Sequence, residues 1–319
     1  MAAAKQTVEV EGRPVNLSNL DKVLYPASGF TKAQVIDYYV RIAPWLLPHY
    51  AKRPITMVRF PDGVRGKSFY EKDAPKHTPD WVQTTTVPRR GGGEPIRYVC
   101  VNDLPTLVWC ANIASLELHP FLHRAGQLDR PDAMVFDLDP GEGTDLVNCA
   151  EVAFALRSLL ESKGLQSFAK VSGSKGLQLY VPLNTATTYE RTRSFAQSAA
   201  LELERKNPKG VVSEMAKDLR HGKIFIDWSQ NSDFKTTAGV YSLRAKNDEP
   251  SVSMPVKWKE LAALQSTRDV VKLRFNPEHA LQRAEAEGDL FAPLLTLRQR
   301  LPKGLATMNS RPAAPRRSA

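Results

Sequence analysis

The chain has 319 residues, 42% of them hydrophobic and 24% charged, with 44 Lys and Arg against 34 Asp and Glu, a net charge of +10. That length can bury a large core, as one big domain or two modest ones, and the basic balance favours a polyanionic partner, of which nucleic acid is the commonest. No apolar run reaches the 18 residues of a membrane span, and three cysteines without Cys-x-x-Cys spacing argue against a disulfide framework or a zinc site.

The N-terminus has no apolar signal region, so a reducing cytoplasm is the expected setting. Val8–Val10 and Val15–Leu17 read as short strands joined by a Glu-Gly-Arg turn. Thr31 caps a helix that should run to about residue 43, with Val35, Tyr38, Tyr39 and Ile42 at helical spacing and the tyrosines in the core. Residues 54–60, 67–72 and 96–101 read as strands. Arg89-Arg90-Gly91-Gly92-Gly93 is a mobile basic turn that either touches nucleic acid or stays in solvent. A helix is expected over Leu104–Leu116, opening at Asn102 or Asp103.

Met134-Val135-Phe136 is a buried strand that carries two acids, Asp137 and Asp139, before Pro140-Gly141 ends it. Side chains alternate along a strand, so the two acids share a face. Paired carboxylates at an apolar strand repel each other and lose hydration unless they share a cation. A pair of hard divalent ions is the simplest tenant, although an Asp-x-Asp can also cap or shape a loop. A helix follows from Asp145 to Ser162, stopped by Gly164. Ser172-Gly173-Ser174-Lys175-Gly176 then enters an alternating strand. It is either an anion-binding turn, with clustered N–H groups and a lysine, or an ordinary hairpin turn. The Walker spacing is absent.

A helix is expected at about 188–206. Lys223-Ile224-Phe225-Ile226-Asp227-Trp228 is a second apolar strand with one acid, Asp227, on the Phe225 face. If the two strands are close, three carboxylates converge, which suits two ions about 3.5–4 Å apart. Arg220, Lys223, Lys235 and Arg244 bracket the third acid as solvated surface or as a triphosphate clamp. Shorter helices, including Pro277–Glu287, occupy 256–300, and the 309–319 tail is expected to be disordered. Interleaved strands and helices give an α/β (α+β mixed) fold: mixed β-sheets flanked by helices.

Val-Phe-Asp-Leu-Asp-Pro-Gly-Glu-Gly, Ser-Gly-Ser-Lys-Gly, Lys-Ile-Phe-Ile-Asp-Trp and Tyr-Ser-Leu-Arg resemble the polymerase domain of bacterial LigD, within the archaeo-eukaryotic primase superfamily. Asn19–Pro26, Val101-Asn102-Asp103 and Leu116-Glu117-Leu118-His119 resemble it too, and the likeness runs from about residue 8 to about 290. It implies a single domain over 1–300, binding DNA and a 5′-phosphate up to about residue 125 and catalytic over 126–300. The chain would be a stand-alone relative of a domain more familiar in fusions.

The resemblance makes Asp137, Asp139 and Asp227 the metal-binding catalytic acids. It places Ser172, Lys175, His119, Arg220, Lys223 and Arg244 around the incoming nucleotide. Lys22 and Lys32 would hold a 5′-phosphate, and Phe69 and Tyr70 would contact the template. Gln178 stands where the family pattern has a triphosphate-associated histidine; a glutamine can donate a hydrogen bond there but carries no charge. The implied activity is two-metal nucleotidyl transfer to a primer 3′-hydroxyl, with Mn²⁺ or Mg²⁺, NTP or dNTP substrates and a preference for ribonucleotides. The DNA would be gapped or broken and 5′-phosphorylated, the role gap filling or end joining with a separate ligase and Ku. The protein would be a monomer near the nucleoid, away from membranes. Two other readings remain: a non-catalytic DNA-end binder, and a metal-dependent phosphodiesterase.

Overall fold

The computed structural model describes residues 5–303. In chain order the first part comprises β1 (Lys5–Val10), β2 (Arg13–Ser18), β3 (Val23–Tyr25), β4 (Phe30–Thr31), α1 (Lys32–Tyr50), β5 (Pro54–Arg59), β6 (Phe69–Glu71), β7 (Thr84–Val87), β8 (Ile96–Cys100), α2 (Leu104–Asn112) and β9 (Ser115–Pro120). β5 is the hub of a five-stranded sheet, paired antiparallel with β6, β8 and β9, while β7 pairs β8.

The second part comprises β10 (Ala133–Pro140), α3 (Leu146–Glu161), β11 (Phe168–Val171), β12 (Leu177–Pro182), α4 (Tyr189–Lys206), β13 (Val211–Val212), β14 (Ile224–Asp227), β15 (Leu243–Arg244), β16 (Ser251–Val252), β17 (Pro255–Val256), α5 (Trp258–Thr267), α6 (Pro277–Glu287) and α7 (Pro293–Thr296). Six of its strands form a mixed sheet in the order β13-β14-β10-β12-β11-β17, with only β13 and β14 parallel among these pairs. α3 and α4 pack against β10. One hydrophobic cluster runs through both parts of the chain. Among the described residues, no helix is long and apolar enough to cross a membrane.

Several expected elements appear with their signals intact. Thr31 closes a capping box with Gln34 at the start of α1, and Asp145 does the same with Asn148 for α3. α6 opens on Pro277 behind the Asn276 cap. Other elements differ. α1 runs past the expected end near residue 43, through Pro44 and Pro48, to Tyr50. Leu46, His49 and Tyr50 lie in the core, and their burial outweighs the backbone bonds the prolines remove. The helix expected over 104–116 stops at Asn112, because Ala114 turns left-handed (φ 58°) and the chain re-enters as β9. Strand β7, threonine-rich and short, carried no signal strong enough to be read. The tail expected to be disordered lies outside the described residues.

The tyrosines of α1 do more than fill space. The Tyr39 hydroxyl donates to Leu116 O at 2.7 Å, Tyr50 to Leu118 O at 3.3 Å and Tyr38 to Tyr241 O at 2.8 Å. Tyr25 adds a bond to Arg244 O at 3.1 Å. Each is worth about 1 kcal/mol net. Together they fix the backbone on both sides of Glu117, and that around Arg244, against one helix and one strand.

Candidate active site

β10 pairs with β14 on one side and β12 on the other, and the register sets the site. Asp137 lies directly opposite Asp227 and, across the other ladder, opposite Gln178. Gln178 in turn lies opposite Lys170. Directly opposed residues share a face, so Asp227, Asp137, Gln178 and Lys170 form one row across four strands. Asp139 joins them one step along β10, opposite Phe225. The alternate residues Phe136, Leu138 and Ile226 form the apolar reverse face that meets the helices. The convergence expected of the three acids on one sheet face is therefore present.

The acids are electrostatically stressed. Burial pushes the Asp137 carboxyl up, to about 7, with Asp139 and Asp227 adding to the rise and a hydrogen bond from Gln178 opposing it. Asp139 is raised by burial and by Asp227, while Arg220 and Arg244 pull it back. Asp227 is occupied locally. Its Oδ1 accepts from Ser229 N at 2.9 Å and Ser229 Oγ at 2.5 Å, and its Oδ2 accepts from Gln230 at 2.8 Å. Lys235 approaches it at 3.9 Å. Among the described residues no three His, Cys, Asp or Glu side chains close into a ready-made metal cage. The donor set nevertheless suits a hard cation: oxygen ligands on one face whose mutual repulsion a divalent ion would relieve.

The Ser172–Gly176 turn lies against this face. A Cβ on Gly176 would meet Leu138 O at 2.4 Å and Asp139 Oδ1 at 3.3 Å, and Gly173 turns at φ 70° against Arg244 and Val252. Only glycine allows that approach. The nest of free amides expected here is partly used up, because Ser172 Oγ accepts from Ser174 N and Gly176 N, each at 3.2 Å. The exposed Lys175 side chain is left as the turn's cation. Arg244 donates to Ser172 O at 2.9 Å, and Arg220 lies over the Phe225 ring at 3.7 Å, which places it beside Asp139. Lys223 stands at the head of β14, where its carbonyl accepts from Gly141 N at 2.9 Å.

His119, on β9, reaches the same site through a residue the sequence did not single out for a role. Glu117 is 1% exposed. Its Oε2 lies 2.8 Å from His119 Nε2 and 3.3 Å from Arg244 Nε, and its Oε1 accepts from Ala245 N at 2.9 Å. Burial alone would raise its pKa, but His119, Arg244 and the Ala245 amide outweigh that and hold it at about 2. An ionised carboxylate only accepts, so His119 Nε2 carries the proton. An acid between two leucines signals a buried partner, just as Asp227 does, once the segment is read as strand. Lys170, fully buried with its ammonium 2.5 Å from Ser253 Oγ, is a second unread member of the site.

From His119 a path of contacts leads outward. Tyr70 meets the His119 ring edge-on at 6.4 Å and is 59% exposed, with Phe69 exposed beside it. Phe69 is paired in register with Arg59. Lys32 lies near both Arg59 and Lys22. Lys32 donates to Ser18 O at 2.6 Å and is depressed to about 8 by burial, then by Lys22 and Arg59. Lys22 is more exposed and pairs with Asp62 at 2.8 Å. The two lysines expected together are therefore neighbours, although Lys32 is more buried than a free phosphate contact would be.

Acids in a row on one sheet face, opposed by a glycine turn with lysine and two arginines, are a donor set suited to divalent ions beside a phosphate-bearing ligand. The family model described as LigD, primase-polymerase domain matches residues 31–291. The chain is 42% identical over 282 residues to the multifunctional non-homologous end joining protein LigD of Mycolicibacterium smegmatis, covering 88% of this chain and 36% of that protein. It is 35% identical over 249 residues to the bifunctional non-homologous end joining protein LigD of Bacillus subtilis, covering 77% and 39%. The polymerase domain from Mycobacterium tuberculosis ligase D, solved in complex with DNA, superposes with a TM-score of 0.81 at 40% identity, covering 88% of this chain and 98% of that one. The chain belongs to the LigD primase-polymerase domain family, and it spans little more than a third of the length of the curated relatives it matches.

Proposed function

We propose that this chain extends a primer 3′-hydroxyl on gapped or broken DNA, using ribonucleoside triphosphates by preference. The observation that carries the reading is the register of β10 between β14 and β12. It puts Asp137, Asp139 and Asp227 on one face, beside the turn that presents Lys175. Asp137 and Asp139, with Asp227, are the residues that would hold two divalent ions, Mn²⁺ or Mg²⁺. Bound there, such ions lower the pKa of the attacking hydroxyl and neutralise charge on the triphosphate. Lys175, Arg220 and Arg244 clamp the phosphates, and Lys223 adds charge behind them. His119, held by Glu117, orients the nucleotide. Phe69 and Tyr70 stack on the template where it bends, at about 1–3 kcal/mol per base. Lys22 and Lys32 receive the 5′-phosphate across the gap. A repair role follows, as gap filling or as end joining with a separate ligase and Ku, by a monomer working at the nucleoid.

The test is extension of a labelled primer on a short gap bearing a 5′-phosphate, with Mn²⁺ and either ribo- or deoxyribonucleotides. Extension favouring ribonucleotides supports the reading; nucleotide release from DNA without added triphosphate would favour the phosphodiesterase instead.

Two further expectations arise from the charges. The raised Asp137 pKa means that this group withholds stability as pH climbs from about 4 to about 7. Asp137→Asn should therefore stabilise the metal-free protein at pH 7.5 by about 1–2 kcal/mol. Mn²⁺ should raise the melting temperature of the parent and leave the variant nearly unmoved, as read by thermal shift. Lys32, depressed to about 8, holds its proton below that pH. The preference for a 5′-phosphate over a 5′-hydroxyl end should fade as pH rises from 7 to 9, measured by anisotropy at fixed ionic strength, and Lys32→Ala should abolish it at both.

A further inference from the structure

Outside the acid face, three separate segments bring aromatic rings and guanidinium groups together. The Arg90 guanidinium, from the basic turn between β7 and β8, lies 4.2 Å above the Phe234 ring. The Arg193 guanidinium, on α4, lies 5.4 Å from the Trp228 ring. These side chains line a hollow of about 470 Å³, together with Glu190 and Asp233. Phe234 is 37% exposed, unusual for a phenylalanine with a cation already on one face.

The charge in the hollow decides what it suits. Two guanidiniums stand against two carboxylates, so the lining is neutral and offers no net attraction to a phosphate. It does offer stacking faces, donors from the guanidiniums and acceptors from the carboxylates. A flat group with an aromatic face and both donor and acceptor edges fits those terms, and an unpaired nucleobase is that group. The hollow adjoins the third acid through its own segment: Trp228 follows Asp227 directly, and Phe234 is next to Lys235, whose ammonium lies 3.9 Å from the Asp227 carboxylate.

We infer that this hollow, formed by Arg90, Phe234, Arg193 and Trp228, binds an unpaired base of the DNA substrate displaced from the strand beside the catalytic acids. The inference rests on the polymerase reading but concerns a surface separate from the acid face. It explains why the basic turn folds onto the segment that follows the third acid. The base stacks against the Phe234 and Trp228 rings, and its edge meets the Glu190 and Asp233 carboxylates.

The experiment uses the full chain carrying Asp137→Asn, so that no extension occurs. Binding is measured by anisotropy on two gapped duplexes: one fully paired, one with a single unpaired nucleotide at the primer 3′ end. The variants are Phe234→Ala and Arg193→Gln, with melting temperatures checked. The expected result is about tenfold weaker binding to the unpaired substrate in Phe234→Ala, with the paired one unchanged. The salt dependence should stay the same, because no phosphate contact is lost. Arg193→Gln should follow in the same direction. Equal loss on both substrates, or loss on neither, overturns the inference. A parent that binds neither duplex overturns the polymerase reading as well. A parent that binds both equally well, without discrimination by either variant, overturns the hollow alone.

Discussion

Replacing Asp137 and Asp139 together by alanine should abolish primer extension, by about a thousandfold or more, while DNA binding persists. The two acids sit on one face of β10, opposite Asp227 and Phe225, and burial together with mutual repulsion raises both pKa values. That stress is what two divalent ions would relieve, and it is removed with the carboxylates. The fold should not suffer, since the apolar face of the sheet is made by Phe136, Leu138 and Ile226. Gel shift and a gap-extension assay on the same preparation separate the two properties. Extension that survives the double substitution would place the chemistry elsewhere; loss of binding along with extension would make the acids structural.

Glu117→Ala should be the most damaging single change in the first part of the chain. The carboxylate is buried and holds His119, Arg244 and the Ala245 amide at once. Removing it leaves the Arg244 cation buried without its partner, a loss of about 3–5 kcal/mol. Glu117→Gln keeps shape and hydrogen bonding and should cost less. With Arg244 no longer neutralised and His119 no longer held, the nucleotide KM should rise more than kcat falls. The pH sign is set by the depressed pKa. The contribution of Glu117 is fully present above its ordinary value near 4.5 and is lost as pH falls toward 2. Acid denaturation of the parent should therefore show a loss between those limits that Glu117→Gln lacks, measured by circular dichroism. A variant as stable as the parent throughout would mean that Arg244 finds another partner.

Much of the site was legible because an acid in an apolar strand is costly and so announces itself. Asp137, Asp139 and Asp227 were found that way, and the alternation of their strands gave the correct faces. Glu117 escaped by the same logic misapplied. The helix expected over 104–116 ran to the edge of this segment and left the period of two in Leu116-Glu117-Leu118-His119 unread as a strand; the left-handed Ala114 beyond α2 is invisible in composition. Lys170 escaped because a lysine in Phe-Ala-Lys-Val reads as a surface residue. Only the opposing β12 and the covering Ser253 make it a buried charge. The apolar spacing in α1 was followed only to Ile42; the helix continues through Pro44 and Pro48 because the burial of Leu46 and Tyr50, which belongs to the fold, outweighs their local cost. The sequence names Gln178 as a departure from the family pattern. The structure adds that it is 3% exposed and faces Asp137, so its amide acts on an acid of the row.

By itself the sequence determined the elements whose signals are local: the capped helices α1, α3 and α6, the two acid-bearing strands and the glycine turn between them. Caps, periodicity and the cost of a buried charge act over a few residues, so they survive in a linear text. The tertiary structure alone decided the register that sets Asp137 against Asp227 and Gln178. It also decided the tyrosine bonds from α1 that fix the backbone around Glu117, and the meeting of Arg90 with Phe234. Each of these depends on segments tens to hundreds of residues apart, and a one-residue slip in strand pairing would turn the whole row of acids to the other face.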